Sequence, residues 1–392
     1  MGMKFADRME GMKGSAIREL LKLTEQPDII SFAGGLPAPE LFPIEEMKQV
    51  CMKVLDQDGR ASLQYSATDG YLPLREKIAK RSAKLGFKAD AKDILITAGS
   101  QQGLDFSAKI FINKGDVIIC ESPSYLGALS AFRAYQPKFV EIPMDEDGMI
   151  MEELEKALDT YTNVKFIYTI PDFQNPSGRT MSLERRKRLM ELATKHGIPV
   201  VEDNPYGELR FEGEIMPSLK CFDPNNLVIL LGTFSKILAP GMRLGWVIAS
   251  PEVLQKYNVV KQGADLQCSS MAQREVNMFM EMFDIEAHIE KIKKVYGNRK
   301  NLMIETMKKE FPESTTFTNP VGGLFAWATF PKEIDAAVLL KKALEQKVAF
   351  VPGETFYPNG GNANHARLNY SCMPEDKIVE GITRLGKTLK AM

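Results

Sequence analysis

Between residues 93 and 249, short apolar runs alternate with stretches of helical periodicity, and this alternation leaves few architectures open. The runs are Ile94–Thr97, Val117–Cys120, Phe139–Ile142, Lys165–Thr169, Pro199–Glu202, Leu227–Leu231 and Gly245–Ala249. Continuous rather than alternating hydrophobicity predicts strands buried on both faces. Strands separated by helices predict an α/β fold, a mostly parallel mixed sheet flanked by helices. From about residue 285 the pattern changes. A long charged helix over 285–311 leads to a strand within 322–329, a helix over 336–345, an apolar run at 348–351 and a strand over 366–371, which predicts a smaller α+β domain. The expected division is an N-terminal segment (1–45) packing with the small domain and the ligand site, a large domain (46–284) and a C-terminal small domain (285–392).

Ligands of such sheets collect beyond the carboxyl ends of the strands, and that is where the unusual residues fall. After the run ending at Leu231 come Thr233, Ser235, Lys236, a Pro240-Gly241 turn and Arg243 before the chain turns apolar again. Lysine is rarely buried unless paired or reactive. A partly desolvated amine has a lowered pKa and attacks carbonyls, while two hydroxyls and an arginine suit a phosphate. An aldehyde and a phosphate together suggest pyridoxal phosphate; the alternative is a solvated loop with Lys236 exposed. Gly99-Ser100 opens a helix, where free N–H groups and the positive dipole end suit an anion, although Ser100 also suits an N-cap. Tyr125 follows the second run and could stack on a flat ring or fill the core. Asn175 lies in an Asn-Pro-Ser-Gly turn. Asp203 ends a buried strand, where a carboxylate must be paired; a pyridinium N–H is one suitable partner and a cap role is the other reading. Arg367, near the start of a late strand, carries the planar fork that grips carboxylates, or is a surface charge.

The segment Thr233-Phe-Ser-Lys-Ile-Leu-Ala-Pro-Gly-Met-Arg243 resembles the cofactor-lysine segment of class I/II aminotransferases, the fold-type I pyridoxal-phosphate enzymes. The similarity runs from Arg18 to Arg367 and points to the 2-aminoadipate/kynurenine aminotransferase branch. The resemblance implies that residues 46–284 form the large cofactor-binding domain and that Lys236 carries the cofactor and acts as acid and base. It implies Asp203 on the ring nitrogen, Tyr125 against the ring, and Asn175 and Tyr206 on the phenolic oxygen. Ser100, Gln101, Thr233, Ser235 and Arg243 would hold the phosphate, and Tyr65 would reach the phosphate of a neighbouring subunit, making a homodimer the active form. Arg367 would bind the substrate α-carboxylate together with Asn175. Gly35 would touch the same end, and Arg18, on a short helix over 15–23, would face the substrate side chain. One departure is Thr233, where many relatives have serine; the hydroxyl is kept. The implied reaction moves an amino group from an L-amino acid (2-aminoadipate, aromatic or branched-chain) to a 2-oxo acid such as 2-oxoglutarate. The rivals are other reactions on the same scaffold, such as C–S lysis or decarboxylation, and a non-catalytic effector-binding domain of a transcription regulator, for which the start of the chain leaves no room.

Composition excludes other classes. Lys and Arg number 50 against 51 Asp and Glu, a net charge of −1, so nothing favours nucleic acid or an anionic membrane. No apolar run is long enough to span a bilayer. The five cysteines (Cys51, Cys120, Cys221, Cys268, Cys372) contain no CxxC and the three histidines are dispersed. This predicts no metal site, no disulfide framework and a reducing, cytoplasmic setting. Gly381-Ile-Thr-Arg-Leu-Gly-Lys-Thr388 matches the P-loop spacing letter by letter. The stripe Ile378, Val379, Ile382, Leu385, Leu389 instead predicts a terminal amphipathic helix.

Overall fold

The computed structural model describes residues 3–9, 12, 14 and 28–392. The helix expected over 15–23, and Arg18 with it, lie outside the described residues. In chain order the strands are β1 (Ile30–Ser31), β2 (Ile94–Thr97), β3 (Val117–Ser122), β4 (Lys138–Asp145), β5 (Gly148–Met149), β6 (Val164–Thr169), β7 (Val200–Asp203), β8 (Val228–Thr233), β9 (Gly245–Ile248), β10 (Thr316–Phe317), β11 (Phe325–Thr329), β12 (Val348–Ala349), β13 (Val351–Pro352) and β14 (His365–Asn369).

The apolar runs assemble into one eight-stranded sheet of order β2-β9-β8-β7-β6-β3-β4-β5. Strands β4, β3, β6, β7 and β8 run parallel to one another. Strand β9 is antiparallel to both β8 and β2, and β5 is antiparallel to β4. All residues of β2, β7, β8 and β9 are buried, because helices cover both faces and no alternation is needed. Since β9 is reversed, its first residue, not its last, lies at the edge where the parallel strands end.

A second, antiparallel sheet of order β10-β11-β14-β13 lies later in the chain, and β1 pairs parallel with β12. Its core gathers Ile30 and Phe32 with Ala326, Leu368, Ile378, Ile382 and Leu385, so the N-terminal segment packs with the C-terminal part. The helix Ile285–Glu310, whose first N–H groups are taken by the Asp284 carboxylate, serves both cores. Ile285, Ile289, Ile292 and Tyr296 pack with the large sheet, and Met303, Ile304 and Met307 with the small one.

Boundaries differ from expectation in places. The helix Leu72–Arg81 is followed by a 3₁₀ turn, Ser82–Leu85. The strand within 322–329 begins only at Phe325. The P-loop-like segment lies inside the helix Glu375–Lys390, as its apolar stripe requires, with Val379 exposed and the rest of the stripe buried. Its two glycines serve close packing. A Cβ on Gly381 would lie 2.7 Å from the Phe32 ring, and one on Gly386 2.6 Å from the Glu310 carbonyl oxygen.

Candidate active site

At the carboxyl edge of the large sheet lies a cleft of about 520 Å³. Strands β2, β3, β6, β7 and β8 each end there, and reversed β9 begins there. Their following or preceding residues supply Ser100, Tyr125, Asn175, Asp203 with Tyr206, Lys236 and Arg243, all lining the cleft. Arg367 enters from β14 and Gly35 from the segment after β1.

One end of the cleft is built for an anion. The helix Ser100–Phe111 begins there, and its capping position is Gly99 at φ +75°, with Ser100 the first helical residue. The N-cap reading of Ser100 is thereby corrected: a left-handed backbone suits glycine, so the cap falls one residue earlier and the Ser100 side chain is left to face the cleft. A Cβ on Gly99 would also lie 2.6 Å from Arg243 Nη2. Arg243 itself has φ +51° and donates to the carbonyls of Ala98 (2.9 Å) and Pro240 (3.3 Å). The Thr233 hydroxyl oxygen accepts the Ser235 N–H at 3.1 Å and lies 2.9 Å from Ser235 Oγ. Gln101 Nε2 donates to the Gly127 carbonyl at 2.8 Å. Two hydroxyls, a guanidinium and the N–H groups of a helix start converge on one small volume.

The middle of the cleft holds a buried carboxylate. Asp203 is 1% exposed. Its Oδ2 accepts from Tyr168 Oη at 3.1 Å, while Oδ1 has no partner among the described residues. Burial pushes its pKa up to about 7, because a charge far from water lacks solvation. Asn175 Nδ2 donates to Tyr206 Oη at 3.2 Å, and Asn175 Oδ1 accepts from Arg367 Nη1 at 2.9 Å. Tyr206 packs edge-on against Phe325. Tyr125 caps the helix Leu126–Arg133 and lies against Gly127, where a Cβ would come within 2.4 Å of the Tyr125 hydroxyl.

Lys236 stands between these groups and the C-terminal sheet. Its amine donates to the Gly35 carbonyl at 2.8 Å. Enclosure, helped by the positive charges of Arg367 and Arg243, lowers its pKa to about 8. Arg367 is buried, donates to the Ala33 carbonyl at 2.7 Å and is sandwiched by the rings of Phe325 and Phe356, with its carbon 4.3 and 5.0 Å from their centres. Burial lowers its pKa to about 10, which leaves it charged at neutral pH.

Twelve of the residues singled out in the sequence line this cleft: Gly35, Ser100, Gln101, Tyr125, Asn175, Asp203, Tyr206, Thr233, Ser235, Lys236, Arg243 and Arg367. Tyr65 does not; it is 78% exposed on the surface of its own chain. Sequence reasoning missed Leu126, Ser130, Ile170 and Pro205 in the lining. It also missed Tyr168 behind Asp203. The signal for Tyr168 was a phenol inside an apolar strand, since a buried hydroxyl needs a partner.

The residues fit pyridoxal phosphate. An unpartnered carboxylate oxygen deep in the cleft matches a ring N–H, the hydroxyl–arginine–helix cradle matches a phosphate, and an amine of lowered pKa stands beside both. Comparison with known proteins agrees. Residues 28–385 match the family model for aminotransferase class I and II. The chain is 45% identical over 391 residues to aromatic-amino-acid aminotransferase 1 of Thermococcus litoralis, covering 98% of this chain and 94% of that one. The kynurenine aminotransferase of Pyrococcus horikoshii, solved with PMP, superimposes with a TM-score of 0.95 at 43% identity over 99% of this chain and 97% of that one. The α-aminoadipate aminotransferase of Thermus thermophilus, solved with N-(5'-phosphopyridoxyl)-L-leucine, gives 0.92 at 40% identity over 99% and 97%. The chain belongs to the class I and II aminotransferases, with the fold-type I architecture and pyridoxal phosphate as cofactor.

Proposed function

We propose that this aminotransferase takes the amino group of an aromatic amino acid, 2-aminoadipate or a branched-chain amino acid and passes it to a 2-oxo acid, with 2-oxoglutarate as the acceptor. The observation that carries the reading is the pairing of an amine held near pKa 8, Lys236, with an unpartnered buried carboxylate oxygen, Asp203 Oδ1, in one cleft. The names of the relatives support the donor range: one is an aromatic-amino-acid enzyme, one a kynurenine enzyme and one an α-aminoadipate enzyme.

When bound, pyridoxal phosphate supplies an aldehyde that condenses with amines and a ring that takes up the electrons left at the substrate Cα. Asp203 Oδ1 would hold the proton of the ring nitrogen. Asn175 and Tyr206 would take the phenolic oxygen, and Tyr125 the ring. Ser100, Gln101, Thr233, Ser235 and Arg243 would hold the phosphate. Lys236 Nζ moves the proton lost from Cα, as general base and then general acid. Arg367 binds the α-carboxylate with Asn175, and Gly35 lies at the same end. The family resemblance alone assigns Arg18 to the substrate side chain. The N-terminal segment, through Gly35, and the C-terminal part, through Arg367, border the substrate end of the cleft. Tyr65, exposed in one chain, reaches the phosphate of a second copy in a homodimer.

The test is spectroscopic. Wild-type protein with pyridoxal phosphate should show the visible band of the lysine-bound cofactor, and Lys236→Ala should not. Addition of 2-aminoadipate, leucine or phenylalanine should convert the band to that of the aminated cofactor, and 2-oxoglutarate should restore it. A band that none of these donors converts would sink the proposed donor range.

A further inference from the structure

The anion-binding turn is held from behind by a buried lysine to which the reaction gives no role. Lys261 lies on the helix Pro251–Ala264, does not line the cleft, and is 0% exposed. Its amine donates to Gln102 Oε1 at 2.9 Å, to both carboxylate oxygens of Asp265 at 2.9 and 3.0 Å and to Cys268 Sγ at 3.2 Å. Gln102 Oε1 accepts a second hydrogen bond, from the Ala98 backbone N–H at 3.0 Å, and Gln102 Nε2 donates to Asp265 at 2.8 Å. The Ala98 carbonyl accepts from Arg243 Nη2. The Ala98 peptide groups are therefore clamped from both sides, the N–H by Gln102 and the C=O by Arg243. The next residues, Gly99 and Ser100, open the helix that faces the cleft.

We infer that Lys261 is a positioning residue for the cofactor phosphate, acting through Gln102. A glutamine amide can turn over and present NH₂ in place of its oxygen. With Lys261 and the Ala98 N–H both needing an acceptor, and Asp265 needing a donor, only one orientation of the Gln102 amide satisfies all three. That orientation fixes the Ala98–Gly99 backbone and, with it, the direction in which the N–H groups at the helix start point. Burial of the ammonium is compensated by three acceptor groups: Cys268, buried beside it, half-buried Gln102 and Asp265 at the surface. The inference rests on the reading of the Gly99–Ser100 turn as the phosphate site.

The test uses the full chain stripped of cofactor. Binding of inorganic phosphate is read by thermal shift, and binding of pyridoxal phosphate by visible absorption. Lys261→Met should raise both dissociation constants about tenfold, the size of one misplaced buried hydrogen bond, with the loss falling on affinity more than on kcat at saturating cofactor. Gln102→Leu, at a half-buried position, should do the same and carries the test if Lys261→Met fails to fold. Lys300→Met removes a buried lysine paired with Glu212 away from the cleft and should leave both constants unchanged. Unchanged constants in both Lys261→Met and Gln102→Leu, or an equal loss in Lys300→Met, overturn the inference. A wild-type protein whose melting does not respond to inorganic phosphate overturns the phosphate reading of the turn itself.

Discussion

The amine of Lys236 donates a hydrogen bond to the carbonyl oxygen of Gly35, 201 residues earlier in the chain. The bond ties the loop after β8 to the N-terminal segment, which in turn is held by Arg367 through Ala33 and by Ser371 through Leu36. Lys236, Arg367 and the N-terminal segment are thus one connected unit. In the proposed reaction the amine leaves Gly35 to take up the cofactor.

Only the neutral amine attacks an aldehyde. A lysine in water is neutral above about pH 10.4, but Lys236 is lowered to about 8. The rate at which apoprotein takes up pyridoxal phosphate should therefore rise with pH, with an inflection near 8, and level off above it. Growth of the visible band across pH 6–10 measures this. A rate still climbing steeply above pH 9.5 would contradict a desolvated lysine.

Asp203 titrates in the opposite sense. Its folded pKa, about 7, lies above the ordinary value of 3.8. Between these values the native apoprotein binds more protons than the unfolded chain, so stability falls as pH rises through that range. Asp203→Asn should flatten part of this slope and make the apoprotein more stable at pH 8. Glu121 and Glu202, both pushed up to about 7 by burial, maintain the remainder. The same substitution should lower kcat about a hundredfold or more, the usual scale for losing a charge-stabilising group. Melting of apoprotein against pH, beside single-turnover kinetics, checks both halves.

The partner of Tyr168 was hidden from the sequence for a physical reason that recurs throughout this fold. Continuous apolar runs reveal strands buried on two faces, and that was enough to read β2, β3, β6, β7 and β8. The residues just past their ends were legible because polar groups there interrupt an apolar pattern. What such runs cannot show is direction or partner. The reversal of β9 leaves no mark on Gly245–Ala249, yet it is the reason Arg243 reaches the anion end. The pairs Tyr168–Asp203 and Lys236–Gly35 span dozens to hundreds of residues, and neither member carries a local signal of the other. Two-residue strands such as β5 and β12 are too short for any periodicity. Tyr168→Phe keeps the ring in its edge-on contact with Phe132 and removes only the hydroxyl. It should cost about tenfold in kcat with little change in Tm, since one hydrogen bond to a carboxylate is worth roughly 1.5 kcal/mol at the low end.

Arg367 offers a substitution that keeps charge and loses shape. Lysine carries a point charge in place of a planar fork, and the pocket between Phe325 and Phe356 is shaped for a flat group. Arg367→Lys should raise KM for amino acids roughly 10- to 100-fold, matching about 1.5–3 kcal/mol for a charge-assisted hydrogen bond, while cofactor affinity changes little. Donors lacking the α-carboxylate should lose nothing further, which separates carboxylate binding from a general distortion of the cleft.

Tyr65 is exposed, but the backbone beside it is not free. The Ser66 N–H is taken by Gln267 Oε1, and Ser270 Oγ donates to the Gln64 carbonyl at 3.1 Å and lies 2.9 Å from Ser66 Oγ. The anchored segment holds Tyr65 outward, where a second copy can meet it. In the proposed homodimer that contact is the partner's phosphate. Tyr65→Phe should raise the dissociation constant for pyridoxal phosphate about tenfold through one lost hydrogen bond to a charged group. Diluting wild-type protein until it sediments as monomer should weaken cofactor binding at least as much. If the monomer binds the cofactor as tightly as the undiluted protein, Tyr65 belongs to a surface role and each site is complete within one chain.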